Sequence, residues 1–347
     1  MGRLLFWAAS ALTLVGGGGH GVGVGPEVDM LRAARGGDED AFRALVEPHR
    51  RGVLAHCYRM CGSLQEAEEL VQEAMLRAWR GLSGFEERAS VKTWLYRIAT
   101  HATLDALKST KRRTLPPAEG EPTGPDTTGE PVVEPIWLEP FPDTLLPDEQ
   151  LDQRRTVGFA FLQVLQKLPP SQRAALLLKE VVGSSAAEVA DLLDTSSSAV
   201  NSMLQRARAT LGDAEPPAPA NDTELAVVRS YVEAFESANV DALVTLLRDD
   251  ARMSMPPVPS WYQGPKAIGG WLRANVLPAD AAGRYRGLPT RANGAPAVAL
   301  YALGDEGLYV LLGVHVLDVQ AGGLAEIVAF MDPRVLRFFA LPPTLAP

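Results

Sequence analysis

The chain has 347 residues, 46% of them hydrophobic and 22% charged, and a formal net charge of −9. This length allows two or three domains with substantial cores, and the presence of only two cysteines excludes a small disulfide-stabilised scaffold. The charge is uneven, because residues 114–154 carry ten acidic side chains and one basic side chain. The acidic excess of the whole chain therefore equals that of residues 114–154, and it says little about the surfaces on either side of them.

The first 27 residues contain an apolar run from Leu4 to Val15, followed by a series of glycines. The run is too short to span a bilayer, although it weakly resembles a secretion signal. We expect residues 1–27 to be a disordered extension or the product of a mis-called start codon. The folded protein is then expected to begin near Val28 or Met30, in the cytoplasm and without a membrane segment.

The pattern from Val28 to Arg113 is helical throughout, with apolar residues recurring at helical spacing. Gly62 and Ser63 interrupt this pattern, and the segment after them has an apolar stripe with carboxylates on the opposite side. We therefore predict a compact all-helical domain over residues 28–113.

Cys57 and Cys61 lie one helical turn apart in this domain, next to His56. This spacing suits two neighbouring buried thiols. A metal site would need a further cysteine or another nearby histidine. We predict two buried free thiols and no metal site.

Basic residues in the same domain cluster around one loop and the helix that follows it, and aromatic residues are interleaved with them. Cations beside aromatic rings suit a surface that follows a nucleic-acid backbone and stacks unpaired bases. Trp94 and Tyr96 also fit a helical core, so Phe85, in a polar loop, is the better candidate for contact with a base. The basic residues are Arg88, Lys92, Arg97, Lys108, Lys111, Arg112 and Arg113.

Residues 114–154 form a proline-rich acidic linker that contains the segment "IWLEPFPD", residues 136–143. A solvated spacer would explain the carboxylates, but it would leave Trp137 and Phe141 exposed to water at a cost. We predict that Trp137, Leu138 and Phe141, together with Ile136, dock on a folded domain, either the C-terminal domain or the first helical unit. The neighbouring prolines keep the segment extended and lower the entropy lost on docking.

Residues 155–213 predict a helix-turn-helix. A supporting helix ends at Pro169 and Pro170, a second is expected to start with Ser171 as its cap, and Ser185 with Glu188 predicts a capping box. The last helix of such a unit lies in the DNA major groove, whereas a plain helical hairpin would simply expose a polar face to solvent. The residues expected near the DNA are Ser196, Ser197, Ser198, Asn201, Ser202, Gln205 and Arg206.

After a second linker at 214–221, residues 222–347 read as helices followed by a meandering sheet, an α+β domain. His315, with Asp318 nearby, is the one histidine available for acid–base chemistry in this domain. A histidine in an apolar strand is more often part of the core. Other candidates for a pocket are Arg252, Trp261, Tyr262 and Asp332.

Four segments resemble domains 2 and 4 of the extracytoplasmic-function sigma factors of the sigma-70 family. They are "EAEELVQEAMLRAWR", "VKTWLYRIATHATLDALK", "LQKLPPSQRAALLLKEVVG" and "SAAEVADLLDTSSSAVNSMLQRARATL". The segments "WLEPFPD" and "IVAFMDPRVLRFFALPPTL" resemble the SigG-like group, in which a domain similar to SnoaL and nuclear transport factor 2 is fused. The resemblance implies a multidomain fold: two all-α sigma domains, the second a helix-turn-helix, and an α+β cone-shaped SnoaL-like domain.

The resemblance also implies roles for individual residues. Glu69, Gln72 and Glu73 match the segment that binds the coiled coil of the polymerase β′ subunit. The residues from Ser196 to Arg206 given above match the reader of the −35 element. The residues that match the −10 element interface are Phe85, Arg88, Lys92, Arg97, His101 and Lys108.

Two positions depart from the family pattern, and the family pattern also implies a role for the linker. Relatives commonly have asparagine where His101 stands and an aromatic residue where Ser184 stands, so base preference and packing are open there. The linker of the family passes through a polymerase cleft with basic walls, which an acidic strand complements.

The implied function is promoter recognition and transcription initiation under the control of the C-terminal domain, without enzymatic activity. The expected partners are the RNA polymerase core, through its β′ coiled coil and β subunit, and promoter DNA. No cofactor, metal or membrane is expected, and a small ligand of the C-terminal domain stays open. Two alternatives remain, a stand-alone helix-turn-helix regulator and a cone-fold enzyme acting on a small molecule.

Overall fold

The computed structural model describes residues 24–87, 89–109, 113–118, 120–132, 137–147, 158–211, 222–320 and 323–347. By their internal contacts, the described residues up to Leu45 and those from Val46 onward form two units. In the first unit, helix α1 (Val24–Arg35) begins before the boundary expected at Val28. The Asp38 carboxylate then accepts hydrogen bonds from the amides of Asp40 and Ala41 at 2.9 and 3.0 Å, which caps the next helix.

The first helical module consists of three longer helices: α2 (Glu39–Cys61), α3 (Leu64–Gly81) and α4 (Val91–Leu107). The break predicted at Gly62 and Ser63 is confirmed. Gly62 takes a φ of +78°, which favours glycine, and Ser63 caps α3 by accepting a bond from the Glu66 amide. Cys57 and Cys61 are buried free thiols, as predicted.

The second helical module contains α5 (Phe159–Leu165), α6 (Pro170–Leu176), a π-helical turn (Leu177–Val182), α7 (Ala186–Leu192) and α8 (Ser197–Leu211). The capping box of Ser185 and Glu188 is present at the start of α7. The cap predicted at Ser171 is wrong, because the N-cap of α6 is Pro169, two residues earlier. Proline fits the first position of a helix because the fixed φ is helical and the missing amide is not needed there.

The C-terminal α+β domain has one sheet in the order β2-β1-β6-β5-β4-β3, with β7 paired to β5. Its helices are α9 (Asp222–Glu236), α10 (Val240–Thr245), α11 (Gly264–Asn275) and α12 (Pro333–Leu336). Its strands are β1 (Leu247–Met255), β2 (Val258–Gln263), β3 (Tyr285–Ala292), β4 (Ala295–Leu303), β5 (Tyr309–Gln320), β6 (Gly323–Phe330) and β7 (Thr344–Leu345).

The core of this domain lies between one face of the sheet and helices α9, α10 and α11. The predicted meander is present from β4 to β6, and β1 joins β6 in parallel. Sequence patterning missed β2, β3, β7, α11 and α12. Strand β3 contains glycine, proline and two arginines and is half-exposed, so it lacks the alternation that marks a strand.

Two residues of α5, in the second helical module, contact the opposite face of the sheet. Phe159 on α5 packs edge-to-face on Phe330 with ring centroids 5.6 Å apart, and Gln163 donates a hydrogen bond to Glu326 at 3.3 Å. Burial raises the pKa of the Glu326 carboxyl, and Arg252, 3.7 Å away, opposes this. No helix in the part of the chain described above is long and apolar enough to cross a membrane.

Candidate functional site

The face of α3 expected to bind polymerase is largely open. Glu69 and Gln72 are exposed, and Glu73 is half-buried and pairs with Arg77 at 2.7 Å. Beside this face, α12 of the α+β domain packs against α3, and Arg337 lies 3.8 Å from Glu68.

The loop before α4 differs from the expectation for Phe85. Its ring is 7% exposed and stacks on Trp94 with centroids 4.7 Å apart. Burial of a large ring outweighs the polar character of the surrounding sequence, so Phe85 belongs to the core here, and its contact with a base stays a prediction. Glu86 and Glu87 are exposed in this loop, as are Ala89 and Ser90, and Arg88 lies outside the described residues.

On α4, Arg97 is exposed and forms an ion pair with Asp194, in the turn between α7 and α8. His101 Nε2 is 2.9 Å from the Leu192 carbonyl oxygen and 3.4 Å from Asp194 Oδ2. Lys92 is half-buried, and Lys108 is exposed and pairs with Asp105 at 2.8 Å. The α4 face expected to bind the −10 element is therefore already in contact with the turn of the helix-turn-helix.

All seven residues expected to read the −35 element are exposed. The Ser196 hydroxyl accepts a bond from the Ala199 amide at 3.2 Å, and the Ser202 hydroxyl donates to the Ser198 carbonyl at 3.0 Å. These bonds leave Asn201, Gln205 and Arg206 as the groups on α8 best placed to reach base edges.

Arg173 joins the two helical modules. The residue is 4% exposed, and its guanidinium donates to backbone carbonyls of Leu165, Gln166 and Leu168 in its own module, and to the Met60 carbonyl at the end of α2. A buried positive charge at the C-terminus of a helix is favourable, because the last carbonyls lack partners within the helix.

Residues 137–143, the linker motif, lie between the first helical module and the α+β domain. Trp137 is 7% exposed and donates through its indole nitrogen to the Pro257 carbonyl at 3.2 Å. Leu138 is fully buried against Gly62, where a methyl group would come within 2.5 Å of the leucine. Gly62 therefore has two roles, ending α2 and admitting Leu138.

Arg113 holds the same motif from the other side. It was expected in the exposed basic cluster, but its side chain is 2% exposed, and this prediction is wrong. Its guanidinium donates to the Trp137 carbonyl at 3.1 Å and to Glu66 at 2.5 Å. Lys111 and Arg112 lie outside the described residues.

Glu139 is bound to the N-terminus of α3. Its Oε2 accepts a bond from the Leu64 amide at 2.7 Å, and its Oε1 accepts one from the Ser63 hydroxyl at 3.0 Å. Burial raises the pKa of this carboxyl, an effect opposed by Arg113. The linker thus supplies a second cap to the helix expected to bind polymerase.

Phe141 and Asn293 form a junction between three parts of the chain. The Phe141 ring packs on Tyr58 with centroids 4.7 Å apart, and its amide donates to Asn293 Oδ1 at 2.8 Å. Asn293 Nδ2 then donates to the Tyr58 hydroxyl at 2.9 Å, and that hydroxyl donates to the Glu139 carbonyl at 2.6 Å. Asp143 adds an acceptor for the Gly294 amide at 2.8 Å.

Linker residues 120–132 run along β2, an edge strand of the sheet. The Thr123 amide donates to the Trp261 carbonyl at 2.7 Å, and the Val132 amide donates to the Pro257 carbonyl at 2.9 Å. Side chains of the α+β domain hold the linker as well. The Trp261 indole donates to the Gly120 carbonyl at 3.0 Å, the Tyr262 hydroxyl to the Thr127 carbonyl at 2.7 Å, and the Trp271 indole to the Thr128 hydroxyl at 3.0 Å.

These contacts correct the expectation that Trp261 and Tyr262 line a pocket, because their polar tips bind the linker. Sequence reasoning missed Asn293 and Trp271 altogether. One local feature of the sequence marks this surface, a group of aromatic residues with polar tips beside an edge strand. Such residues are common where one end of the side chain is buried and the other end binds polar groups.

His315 lies on the helix-facing side of the sheet, where Nδ1 is 2.6 Å from the Tyr231 hydroxyl and the ring packs on Phe235. Burial lowers its pKa to about 4. Asp318 pairs in register with Glu326, which faces α5, so it does not join His315. Among the described residues no cluster of histidine, cysteine and carboxylate side chains could hold a metal ion.

Two family models match the helical parts of the chain. Residues 45–113 match the family model of Sigma-70 region 2, and residues 158–211 match that of Sigma-70 region 4. ECF RNA polymerase sigma factor SigG of Mycobacterium tuberculosis (strain H37Rv) is 42% identical over 316 residues, which cover 88% of this chain and 85% of that protein. The chain therefore belongs to the extracytoplasmic-function RNA polymerase sigma factors.

Other similar proteins cover different parts of the chain. ECF RNA polymerase sigma factor SigW of Bacillus subtilis (strain 168) is 30% identical over 52% of this chain and 92% of its own length. The crystal structure of the Mycobacterium tuberculosis extracytoplasmic function sigma factor SigJ matches 86% of this chain and 99% of that chain, with a TM-score of 0.59 and 20% identity. The predicted fold class, two helical sigma domains and an α+β domain, is confirmed.

Proposed function

We propose that this sigma factor binds core polymerase through α3, reads the −10 element with the α4 face and the −35 element with α8, and is restrained by its α+β domain until polymerase binds. Two of the three surfaces support this proposal by their exposure. Glu69 and Gln72 on α3 are open to a partner protein, and Asn201, Gln205 and Arg206 on α8 are open to DNA. A carboxylate-rich helix suits a protein partner better than phosphate.

The observation that carries the proposed restraint is the binding of the acidic linker to the α+β domain. Linker amides at Thr123, Val132 and Phe141 donate to Trp261, Pro257 and Asn293. In sigma factors of this family the linker enters a basic cleft of polymerase, and it cannot do so while these bonds hold it on the sheet edge. Polymerase and the α+β domain therefore compete for the same segment.

We propose that the α+β domain acts through these contacts and not through turnover of a substrate. His315, the candidate base of the sequence analysis, is hydrogen-bonded to Tyr231 and has a pKa of about 4. An effective general base needs a pKa nearer the working pH. The other polar candidates are used in structural contacts: Asp332 caps α12, and Arg252 lies near Glu326.

Run-off transcription with core polymerase tests this function directly, comparing the whole chain with a chain cut after Asp213. We expect both to initiate at the same promoter, with more transcript from the cut chain when core polymerase is limiting. Absence of any promoter-specific transcript from either chain would refute the sigma-factor roles given to α3, α4 and α8. A lower yield from the cut chain would refute the restraint.

Arg206→Ala is expected to lower affinity for −35 duplex DNA about tenfold, because one arginine–guanine contact contributes about 1–3 kcal/mol. The measurement is a fluorescence anisotropy titration of polymerase holoenzyme with −35 duplex DNA. Arg208→Ala is the matched control, because Arg208 lies on the same helix and pairs with Glu180 at 2.5 Å. Equal affinities of the two variants would contradict the role of Arg206.

A further inference from the structure

The turn between α7 and α8 places a carboxylate on the α4 face. Asp194 pairs with Arg97, and its Oδ2 is 3.4 Å from His101 Nε2. The same histidine nitrogen donates to the Leu192 carbonyl at 2.9 Å. Two of the side chains expected to meet the −10 strand are therefore bound to the chain itself.

The turn that carries Asp194 is well defined by its own hydrogen bonds. The Leu193 amide donates to the Val189 carbonyl at 3.0 Å, and the Thr195 amide donates to the Ala190 carbonyl at 2.9 Å. Asp194 itself has a φ of +48°, a conformation that aspartate and asparagine tolerate better than most residues. The carboxylate is thus presented at a fixed position.

Buried contacts at other residues hold the two helical modules together. Besides the Arg173 bond to Met60, the Gln166 amide group donates to the Arg59 carbonyl at 3.2 Å, and Gln166 is 3% exposed. These bonds, and not the exposed Arg97–Asp194 pair, supply most of the strength of the contact. The exposed pair neutralises the charge of Arg97 on α4 and adds little to the strength of the contact between the modules.

We infer that Asp194 acts as an internal substitute for a DNA phosphate, occupying Arg97 and His101 in the free chain and competing there with single-stranded DNA. The inference rests on the proposed −10 role of these two residues. Carboxylate and phosphate oxygens bind a guanidinium in similar ways. An exposed ion pair is weak and screened by salt, whereas a nucleic-acid strand makes several phosphate contacts at once, so the strand displaces the carboxylate.

The test measures binding of a fluorescent oligothymidine of about 20 nucleotides to the full-length chain without polymerase. Asp194→Asn removes the charge and keeps a residue that tolerates the positive φ. We expect it to bind the oligonucleotide about two- to fivefold more tightly than the unchanged chain at low salt, the range that follows from the strength of an exposed ion pair. The gain should shrink as salt is raised.

Asp191→Asn is the matched control, because Asp191 is an exposed aspartate on α7 and its change removes the same charge. Equal affinities of the Asp194→Asn and Asp191→Asn chains would overturn the inference. Arg97→Ala separates this outcome from a failure of the proposed function. Weaker binding by Arg97→Ala supports the −10 role of Arg97 whatever Asp194 does, and unchanged binding refutes that role together with the inference.

Discussion

Replacing Phe141 by alanine is expected to release the linker motif and to lower the free energy of unfolding by about 3–5 kcal/mol. The ring is 1% exposed and packs on Tyr58, so the change leaves a cavity between the first helical module and the α+β domain. The hydrogen bonds of Asn293 to Tyr58 and to the Phe141 amide then lose their packed surroundings. Urea denaturation measures the stability, and limited proteolysis of residues 120–132 measures linker release.

Thr144→Ala is the matched control for this prediction, because Thr144 is exposed three residues later in the same segment. We expect the control to change stability by less than about 0.5 kcal/mol and to leave proteolysis unaltered. Identical proteolysis rates for the Phe141→Ala and Thr144→Ala chains would show that the aromatic ring does not hold the linker.

Replacing Arg173 by methionine is expected to separate the two helical modules and to cost about 3–5 kcal/mol. Methionine keeps an unbranched apolar stem but donates no hydrogen bond, so the buried carbonyls of Leu165, Leu168 and Met60 lose their shared donor. The change also removes the positive charge from the C-terminus of α2. Thermal or urea denaturation measures the loss, and small-angle scattering measures the expansion of the chain.

The control for Arg173 is Arg208→Met, the same substitution at an exposed ion pair with Glu180. Such pairs contribute about 0–1 kcal/mol, so a small effect is expected there. A loss of similar size in both variants, without expansion of the Arg173→Met chain, would contradict the joining role of Arg173.

Local chemistry made several parts of the fold predictable from the sequence. Gly62 with Ser63 and Ser185 with Glu188 mark helix ends, because caps involve residues only a few positions apart. The polar face of α8 was also predictable from the sequence, since helical spacing alone places Asn201, Gln205 and Arg206 on one side of the helix.

The failures involve partners that are distant in the chain. The sequence places Arg113 in a basic cluster, yet in the structure its side chain is buried and donates hydrogen bonds to Glu66 and to the Trp137 carbonyl. The Phe141 amide meets Asn293, 152 residues away. The sequence indicates that Trp137 and Phe141 need an apolar partner, because they are costly to expose, but no local pattern identifies that partner.

The central claim is that polymerase takes the linker from the α+β domain, and hydrogen–deuterium exchange with and without core polymerase tests it most directly. The amides of Asn293 and Gly294 donate to the Phe141 carbonyl and to the Asp143 carboxylate, both in the linker. We predict that these two amides exchange slowly in the free chain and much faster once the chain is bound to core polymerase in a transcribing complex. Equally slow exchange in both states would show that the linker stays on the α+β domain, and would contradict the claim.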